Sequence, residues 1–481
     1  MNTHGRGCSN PRPCVRDLRE RYASALSTMQ APKINYSLFS NHDLLILIIP
    51  LVIERALSMT VGIADSMMVA SLGEASVSSV ALVDMINIFL ICMFLAMSLG
   101  GTVVASQFIG AKDLRNANRT VGQVLAVSIL ISVTITLLAE LFNSHILGLL
   151  FGNVTPEVME QSQTYFRITA LTYPFISITA SCSAIFRAQN LSKISLFLSI
   201  ICNVINIIGN SVLIFIFKWG VAGAAYSTLA AQVITMTLAI YKLTDSSHLV
   251  FLNIREKFML SWTIIRKILY IGIPGSIEDS LFTLGRVIAL SLISKFGTSE
   301  IAANAIANQI GIFGILIGSA CNMAIVTVVG QCVGAGIEAQ LHYYLKKMMK
   351  WTYTAHFIWS IILLAFVPLI LKCYVKVDAP TIHTAFLLIL IHNGLGIILW
   401  PASFTFPNAL RALNDVKATM CVSLSSMFIV RLGFSYLLAP IFHSGVYAVW
   451  TAMICDWLVR ITLFHWRFFS GAWRKYAKMK A

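Results

Sequence analysis

The chain has 481 residues, of which 57% are hydrophobic and only 11% are charged, and its mean hydropathy is +0.79. Because a soluble domain carries about 25% charged residues, this composition excludes an ordinary soluble protein. The net charge of +15 accompanies successive apolar windows of about 20 residues, the length that crosses a bilayer as a helix. We therefore interpret the basic excess as a signal for orientation in the membrane, and we expect the lipid bilayer, and no nucleic acid, as a partner.

The first segment, residues 1–42, is polar, basic and irregular, and we predict a cytoplasmic tail. It is too long and polar for a signal peptide, and Met29 offers an alternative start to Met1. The rest of the chain predicts an all-α polytopic membrane protein with twelve transmembrane helices, followed by a cytoplasmic tail at 469–481. The helices are predicted at 43–71, 79–109, 120–142, 157–187, 192–217, 222–243, 267–295, 302–333, 349–372, 379–411, 416–440 and 445–468.

The loops on one side of this twelve-helix topology contain many lysines and arginines, and the loops on the other side contain few. The segments on the side of the N-terminus hold 26 of them, including Arg187 and Arg411 at the ends of the fourth and tenth predicted helices. The opposite loops hold four, Lys218, Lys295, Lys372 and Lys376. Because cytoplasmic loops carry the excess of basic residues, both termini are predicted to be cytoplasmic.

The two halves of the chain repeat each other at a spacing of 224 residues. The shift places Pro50 on Pro274, Glu54 on Glu278, Gly73 on Gly297, Gln107 on Gln331 and Arg187 on Arg411. The sequence therefore predicts two parallel six-helix repeats, an N-lobe at 43–243 and a C-lobe at 267–468, joined by a cytoplasmic linker at 244–266 with an amphipathic stretch. Two such bundles around a cleft are a common frame for alternating access.

An ionisable side chain inside a bilayer is costly and indicates function by default. Asp65 lies about 20 residues into the first helix, and Asp84 lies near the outer start of the second. Asn206 and Asn210 share one helical face, and Thr228 lies in the sixth helix. A carboxylate near several amide and hydroxyl oxygens predicts a proton or Na⁺ site, although small polar side chains also bond helices to one another in membranes.

The second half lacks a counterpart of Asp65, because the shifted position holds Ala289. Its acids have basic neighbours instead, which favours intramembrane ion pairs with a structural or secondary coupling role. We predict that Glu278 and Asp279 pair with Arg286 and that Asp456 pairs with Arg460; Glu54 and Arg431 belong to the same class of intramembrane charges.

The ten cysteines and ten histidines show no CxxC, no HExxH and no metal-ligand spacing. We also find no nucleophile–base arrangement and no glycine-rich phosphate loop. The sequence therefore predicts no enzyme site and no cofactor.

Several motifs together resemble the multidrug and toxic compound extrusion (MATE) family over about residues 43–468. They are the pattern Pro50, Asp65, Gly73, and the runs QFIGA at 107–111, FRAQN at 186–190 and GVAGAAYST at 220–228, with VGQCVGA at 329–335 and LRALN at 410–414 in the second half. The resemblance implies a bacterial inner-membrane antiporter that exports organic cations or other amphipathic small molecules against H⁺ or Na⁺, and we expect it to act as a monomer.

The family's N-lobe cation site carries over to Asp65, Asn206, Asn210 and Thr228. Many members have an aspartate where Asn210 stands, so this chain has one carboxylate fewer and a less complete Na⁺ site. The C-lobe carboxylate of some members falls on Phe282, so no C-lobe residue carries over.

Two other functions remain open at this stage. A flippase for a lipid-linked saccharide, from the wider superfamily, would favour a strongly basic central cavity. A non-transporting receptor or scaffold would have no need of Asp65. A major-facilitator transporter shares the helix count, but its signature between helices 2 and 3 is missing from residues 111–120.

Overall fold

A computed structural model of the chain describes residues 38–152, 154–253, 260–374 and 377–477. Most of the predicted N-terminal tail, residues 254–259 of the predicted linker and residues 478–481 lie outside these ranges. The described part is almost entirely helical. Its α-helices are α1 Asn41–Ala70, α2 Glu74–Gly110, α3 Leu114–Leu141, α4 Asn143–Phe151, α5 Pro156–Ala170, α6 Tyr173–Ala188, α7 Ser192–Asn210, α8 Gly220–Leu243, α9 Trp262–Ile293, α10 Thr298–Gly314, α11 Leu316–Ala335, α12 Glu338–Leu371, α13 Ala379–Trp400, α14 Phe406–Ala412, α15 Val416–Ser425, α16 Gly433–Phe442, α17 Gly445–Phe469 and α18 Arg474–Ala477.

The twelve predicted membrane segments are each found, but several are interrupted. The fourth bends by 42° between α5 and α6, and the eighth breaks at Ile315 between α10 and α11. Three others contain a π-helical turn, at Ser211–Ile216, Pro401–Thr405 and Ser426–Leu432. Such turns are rare and often mark functional sites.

Length and apolarity alone identify ten spanning helices in the described residues, and the bent α5–α6 pair makes an eleventh. The remaining segment is α9, a 32-residue helix that carries Glu278, Asp279 and Arg286. These charges lower its mean hydropathy. It therefore differs from the other spanning helices in its charge content and not in its length.

Several helices begin earlier in the chain than the sequence analysis predicted. Helices α2, α3 and α12 begin five, six and eleven residues before the predicted starts at 79, 120 and 349, because hydropathy marks only the apolar part of a helix. The polar start of α3 is stabilised by a side-chain cap: Asp113 accepts hydrogen bonds from Asn116 Nδ2 at 2.6 Å and from Asn116 N at 3.1 Å. These bonds hold the pKa of Asp113 below its usual range.

The repeat is visible in the backbone as pairs of left-handed residues at the same spacing. Gly73 and Gly297 have φ of 107° and 114°, a conformation that essentially requires glycine. Further pairs are Lys112 and Gly336 (57° and 71°), Asn190 and Asn414 (63° and 64°), and, one residue out of register, Lys218 and His443 (55° and 50°). The two lobes therefore turn at equivalent positions.

The lobes meet at one end through a symmetric pair of glutamines. Gln107 Nε2, at the end of α2, donates to Ala412 O at 2.9 Å, and Gln331 Nε2, at the end of α11, donates to Ala188 O at 2.8 Å. Donors and acceptors are both related by the shift of 224. Each glutamine thus reaches from one half of the chain to the backbone of the other.

Two glycines make this close approach sterically possible. A Cβ at Gly110 would overlap the backbone oxygen of Gln331, and one at Gly334 would overlap that of Gln107. We call these four residues, Gln107, Gly110, Gln331 and Gly334, the glutamine–glycine contact. Because the obstructing atoms belong to backbone, a methyl group there can be accommodated only if the two lobes move apart.

The first prediction is that Gly110→Ala and Gly334→Ala each destabilise the protein by about 1–3 kcal/mol, the usual cost of overpacking. The measurement is the thermal unfolding midpoint of the purified protein. Gly394→Ala is the matched control, since nothing lies within 4 Å of its added Cβ and alanine favours a helix by about 1 kcal/mol. Equal midpoints for all three variants would contradict this assignment of the contact.

Candidate functional site

The four residues of the predicted N-lobe site come together between α1, α7 and α8. Asn210 Nδ2 donates to Asp65 Oδ1 at 2.8 Å, and Asn206 Nδ2 lies 3.0 Å from Thr228 Oγ1. Asn206 and Asn210 are buried, whereas Asp65 and Thr228 are partly exposed. The carboxylate therefore lies at the edge of a polar cluster and is held by an amide donor.

The amide of Asn206 has a second orientation that pairs both of its polar atoms. In that orientation its nitrogen donates to Asp65 Oδ1 and Oδ2 at 2.9 and 3.1 Å, and its oxygen accepts from Thr228 Oγ1 at 3.0 Å. The choice between amide orientations follows from the hydrogen bonds that each one satisfies. The second orientation gives Asp65 two amide donors and links Thr228 to the carboxylate through Asn206.

Local sequence explains why these side chains converge. Asn206 and Asn210 are four residues apart on α7 and so lie on the same face, which packs along α1. Ser227 Oγ donates to Asn206 O at 2.8 Å and holds α8 against α7. Immediately after Asn210 the helix widens into the π-helical turn at Ser211–Ile216.

Asp84 lies within electrostatic range of Asp65 but has partners of its own. Asn87 Nδ2 donates to Asp84 Oδ1 at 3.2 Å, and Tyr173 OH donates to Asn87 Oδ1 at 2.7 Å. The N-lobe therefore places two carboxylates near each other, each with its own amide donor.

The predicted pairing of Glu278 and Asp279 with Arg286 is wrong. Glu278 Oε1 pairs with Arg411 Nη2 at 2.7 Å, and Arg286 has no ion pair or hydrogen bond within the described ranges. Spacings of seven and eight residues correspond to about 10–12 Å along a helix, too far for a direct bond. The true partner comes from α14, 133 positions further along the chain, and was assigned to a cytoplasmic segment in the sequence analysis.

The predicted pairing of Asp456 with Arg460 is confirmed. Arg460 Nε donates to Asp456 Oδ1 at 3.1 Å, with 3% and 0% of the two side chains exposed. Ser426 Oγ also donates to Asp456 Oδ1, and Arg460 Nη2 donates to Ser423 O at 3.1 Å. Because removing one partner would leave a buried charge, this pair stabilises the contact between α17 and the helix that contains the π turn at Ser426–Leu432.

Phe282 stands at the position where some family members carry an acid, and its ring contacts two arginines. The guanidinium carbons of Arg460 and Arg431 lie 5.0 and 5.9 Å from the centroid of its ring, within cation–π range. Arg431 Nε is buried without a hydrogen-bond partner. The C-lobe is therefore basic at the position where an acid would make it a cation site.

The remaining predicted charges are not part of either cluster. Glu54 Oε2 is buried and has no hydrogen-bond partner. Asp279 lies within electrostatic range of Arg411 and Arg460 but forms no ion pair within 4.0 Å in the described part of the chain.

A cavity of about 320 Å³ lies between the lobes, and the sequence analysis missed it. Its charged lining residues are Arg55, Arg187, Glu278, Asp279, Arg411 and Arg460. Arg187 and Arg411 were counted as cytoplasmic charges, yet Arg187 is only 8% exposed and the Arg411 side chain 14%. Their recurrence at a spacing of 224, inside helices and not in loops, was the signal that could have identified them.

The described residues hold no group of three or more His, Cys, Asp or Glu side chains that could bind a metal ion. The N-lobe cluster presents oxygen ligands of the kind a Na⁺ ion could use: the Asp65 carboxylate, the two amide oxygens and Thr228 Oγ1. Asn210 Oδ1 is buried and without a partner, so one further acceptor is free.

Known proteins resemble this chain over most of its length. It is 27% identical over 431 residues to the "Uncharacterized transporter YisQ" of Bacillus subtilis, with 88% of this chain and 93% of that protein covered. It is 24% identical to the "Probable multidrug resistance protein NorM" of Thermotoga maritima, with 92% and 97% covered. Among solved structures, an outward-facing MATE family transporter of the MOP superfamily matches with a TM-score of 0.82 at 21% identity, over 90% of this chain and 96% of that one.

The family model MatE matches the chain twice, at residues 50–212 and 274–437. The second match begins 224 residues after the first (274 against 50), the spacing found in both sequence and backbone. The two matches together span more than half of the chain, so the chain belongs to the MATE family of multidrug efflux transporters.

Proposed function

We propose that this protein exports amphipathic small molecules by antiport with H⁺, and that Asp65 is the group that takes up and releases the proton. The observation that carries the proposal is the hydrogen bond from Asn210 Nδ2 to Asp65 Oδ1 at 2.8 Å, which ties an intramembrane carboxylate on α1 to α7.

Protonation would change the way that Asp65 bonds. An ionised carboxylate only accepts hydrogen bonds, whereas a protonated one also donates one. The amides of Asn206 and Asn210 favour the ionised form, because charge-assisted hydrogen bonds are the stronger ones. Once protonated, Asp65 holds α7 less tightly, and α1 is free to shift relative to it.

The geometry favours H⁺ over Na⁺ as the coupling ion. Na⁺ would need the amide oxygens, but Asn210 presents its nitrogen to Asp65, as does Asn206 in its second orientation. An ion would require both amides to turn, and only one carboxylate balances its charge. A proton requires neither change.

The contact between the lobes indicates which side of the membrane is closed in this conformation. With both termini cytoplasmic, the glutamine–glycine contact lies on the cytoplasmic side, and the described conformation is closed there. Substrate leaves outward after Asp65 is protonated from outside, and deprotonation to the cytoplasm resets the carrier. Since one chain supplies both lobes, we propose that a monomer in the bacterial inner membrane is the working unit, with no cofactor.

A non-transporting receptor or scaffold is the less favoured alternative. It gives no reason for an acid to be placed in a membrane helix with amide donors aimed at it, an arrangement that is costly unless it is used.

The second prediction is that Asp65→Asn abolishes export against a gradient while folding and insertion persist. Asparagine keeps the size and hydrogen-bonding capacity of the side chain but cannot titrate. The measurement is dye uptake into inside-out vesicles, whose lumen corresponds to the cell exterior, after a pH step and, separately, after a Na⁺ step. Asp245→Asn is the matched control, because Asp245 is exposed in the segment between the lobes. Normal transport by Asp65→Asn, with coupling lost in Asp456→Asn, would place the site in the other lobe.

The third prediction concerns orientation. Arg187 is buried and only 14% of the Arg411 side chain is exposed, and without these two residues the charge count is still 24 against four. A reporter fused after Met479 should therefore read cytoplasmic, and one inserted at Gly152 should read external. A cytoplasmic reading at Gly152 would contradict the proposed topology.

A further inference from the structure

The cavity between the lobes is lined by arginines that are not all paired with a carboxylate, and Asp279 also lines it without an ion pair in the described residues. Arg411 pairs with Glu278 at 2.7 Å, and Arg460 pairs with Asp456 at 3.1 Å. Neither Arg55 nor Arg187 has a carboxylate within 4.0 Å among the described residues. Two of the four arginines that line the cavity are therefore without an ion-pair partner.

These two guanidinium groups face the same space. Arg55 and Arg187 are within electrostatic range of each other and of Glu54. Among the described residues, the only hydrogen bond of the Arg55 side chain is a weak one from Nη2 to Met323 Sδ at 3.9 Å. Arg187 makes no side-chain hydrogen bond in the described chain although only 8% of it is exposed. A buried charge without a counter-ion is strongly unfavourable.

The rest of the cavity wall is apolar and aromatic. Leu95, Leu99, Phe282 and Phe404 line it, and Trp400 stacks on Phe404 at 5.2 Å. The volume of about 320 Å³ suits a small ligand with a ring system. It is too small for a saccharide with a lipid tail.

We propose that this cavity binds the anionic group of an amphipathic molecule, a carboxylate, sulfonate or phosphate held by Arg55 and Arg187, with its apolar body against Phe282 and Phe404. The planar guanidinium groups offer paired donors that match such oxygens. The proposal refines the substrate class of the exporter proposed above, but binding itself does not depend on proton coupling.

The first arm of the test compares two matched probes on the parent protein. They are 1-pyrenebutyrate and 1-pyrenebutylamine, which share a ring system and differ in the sign of their charge. Purified protein in nanodiscs of phosphatidylcholine is titrated, and pyrene emission excited through tryptophan is followed, since Trp400 adjoins the cavity. We expect the butyrate to bind about tenfold tighter, the gain typical of one charge-assisted hydrogen bond. Equal binding, or tighter binding of the amine, would overturn the proposal.

The second arm assigns the preference to the two arginines. Arg55→Gln and Arg187→Gln should each lose most of the preference for the butyrate, whereas Arg55→Lys should retain part of it. Arg266→Gln removes an exposed arginine at the start of α9 and should leave the preference unchanged. If Arg187→Gln fails to fold, the two Arg55 variants, Arg55→Gln and Arg55→Lys, and the measurement on the parent protein still decide the assignment. An equal loss in Arg266→Gln would overturn the assignment.

A third arm separates two sources of the anionic group. Adding phosphatidylglycerol to the nanodiscs should weaken butyrate binding if a lipid headgroup is the native ligand, and should have no effect if the ligand is a soluble amphiphile. Both results require an anion site.

The Asp65→Asn variant distinguishes this inference from the proposed function. It should keep the preference for the butyrate although it does not transport. Transport lost in Asp65→Asn without any anion preference in the parent would overturn this inference alone. Normal transport by Asp65→Asn with the preference intact would overturn the proton-coupling mechanism alone.

Discussion

The constraint on which this structure depends is that a charged side chain in a membrane must have a partner. The protein meets it in a different way in each lobe. In the N-lobe an amide donor, Asn210, holds Asp65 without neutralising it. In the C-lobe, Glu278 and Asp456 are paired with arginines at 2.7 and 3.1 Å. An acid held by neutral donors can change its protonation state at lower cost than one whose arginine would be left unpaired, so the N-lobe is the side suited to coupling.

The same repeat has thus produced lobes of opposite polarity. Backbone turns recur at equivalent positions, and the glutamine–glycine contact uses equivalent residues in both halves. The polar side chains do not recur: Asp65 becomes Ala289, and the C-lobe presents Arg431 and Arg460 to Phe282. Symmetry supplies equivalent turns and equivalent contacts between the lobes, and it is lost in the polar side chains inside them.

Much of the fold and of the N-lobe site could be predicted from the sequence. Apolar windows, together with the alternation of basic loops, located all twelve segments, because bilayer thickness fixes the length of an apolar helix. The face shared by Asn206 and Asn210 followed from helical periodicity. The partner of Glu278 did not, because periodicity only relates residues of one helix, whereas Arg411 lies on α14, 133 residues further along the chain. Arg187 was likewise taken for a loop charge, since hydropathy cannot distinguish an arginine at a helix end in water from one in a cavity.

The proposed coupling requires that Asp65 is the residue that gains and loses the transported proton. Infrared difference spectroscopy can observe this step, by following the carbonyl stretch of a protonated carboxylic acid while the pH is stepped. We expect a band in the parent that persists in Asp456→Asn and disappears in Asp65→Asn. A band that remains in Asp65→Asn and disappears in Asp84→Asn or Asp456→Asn would contradict it.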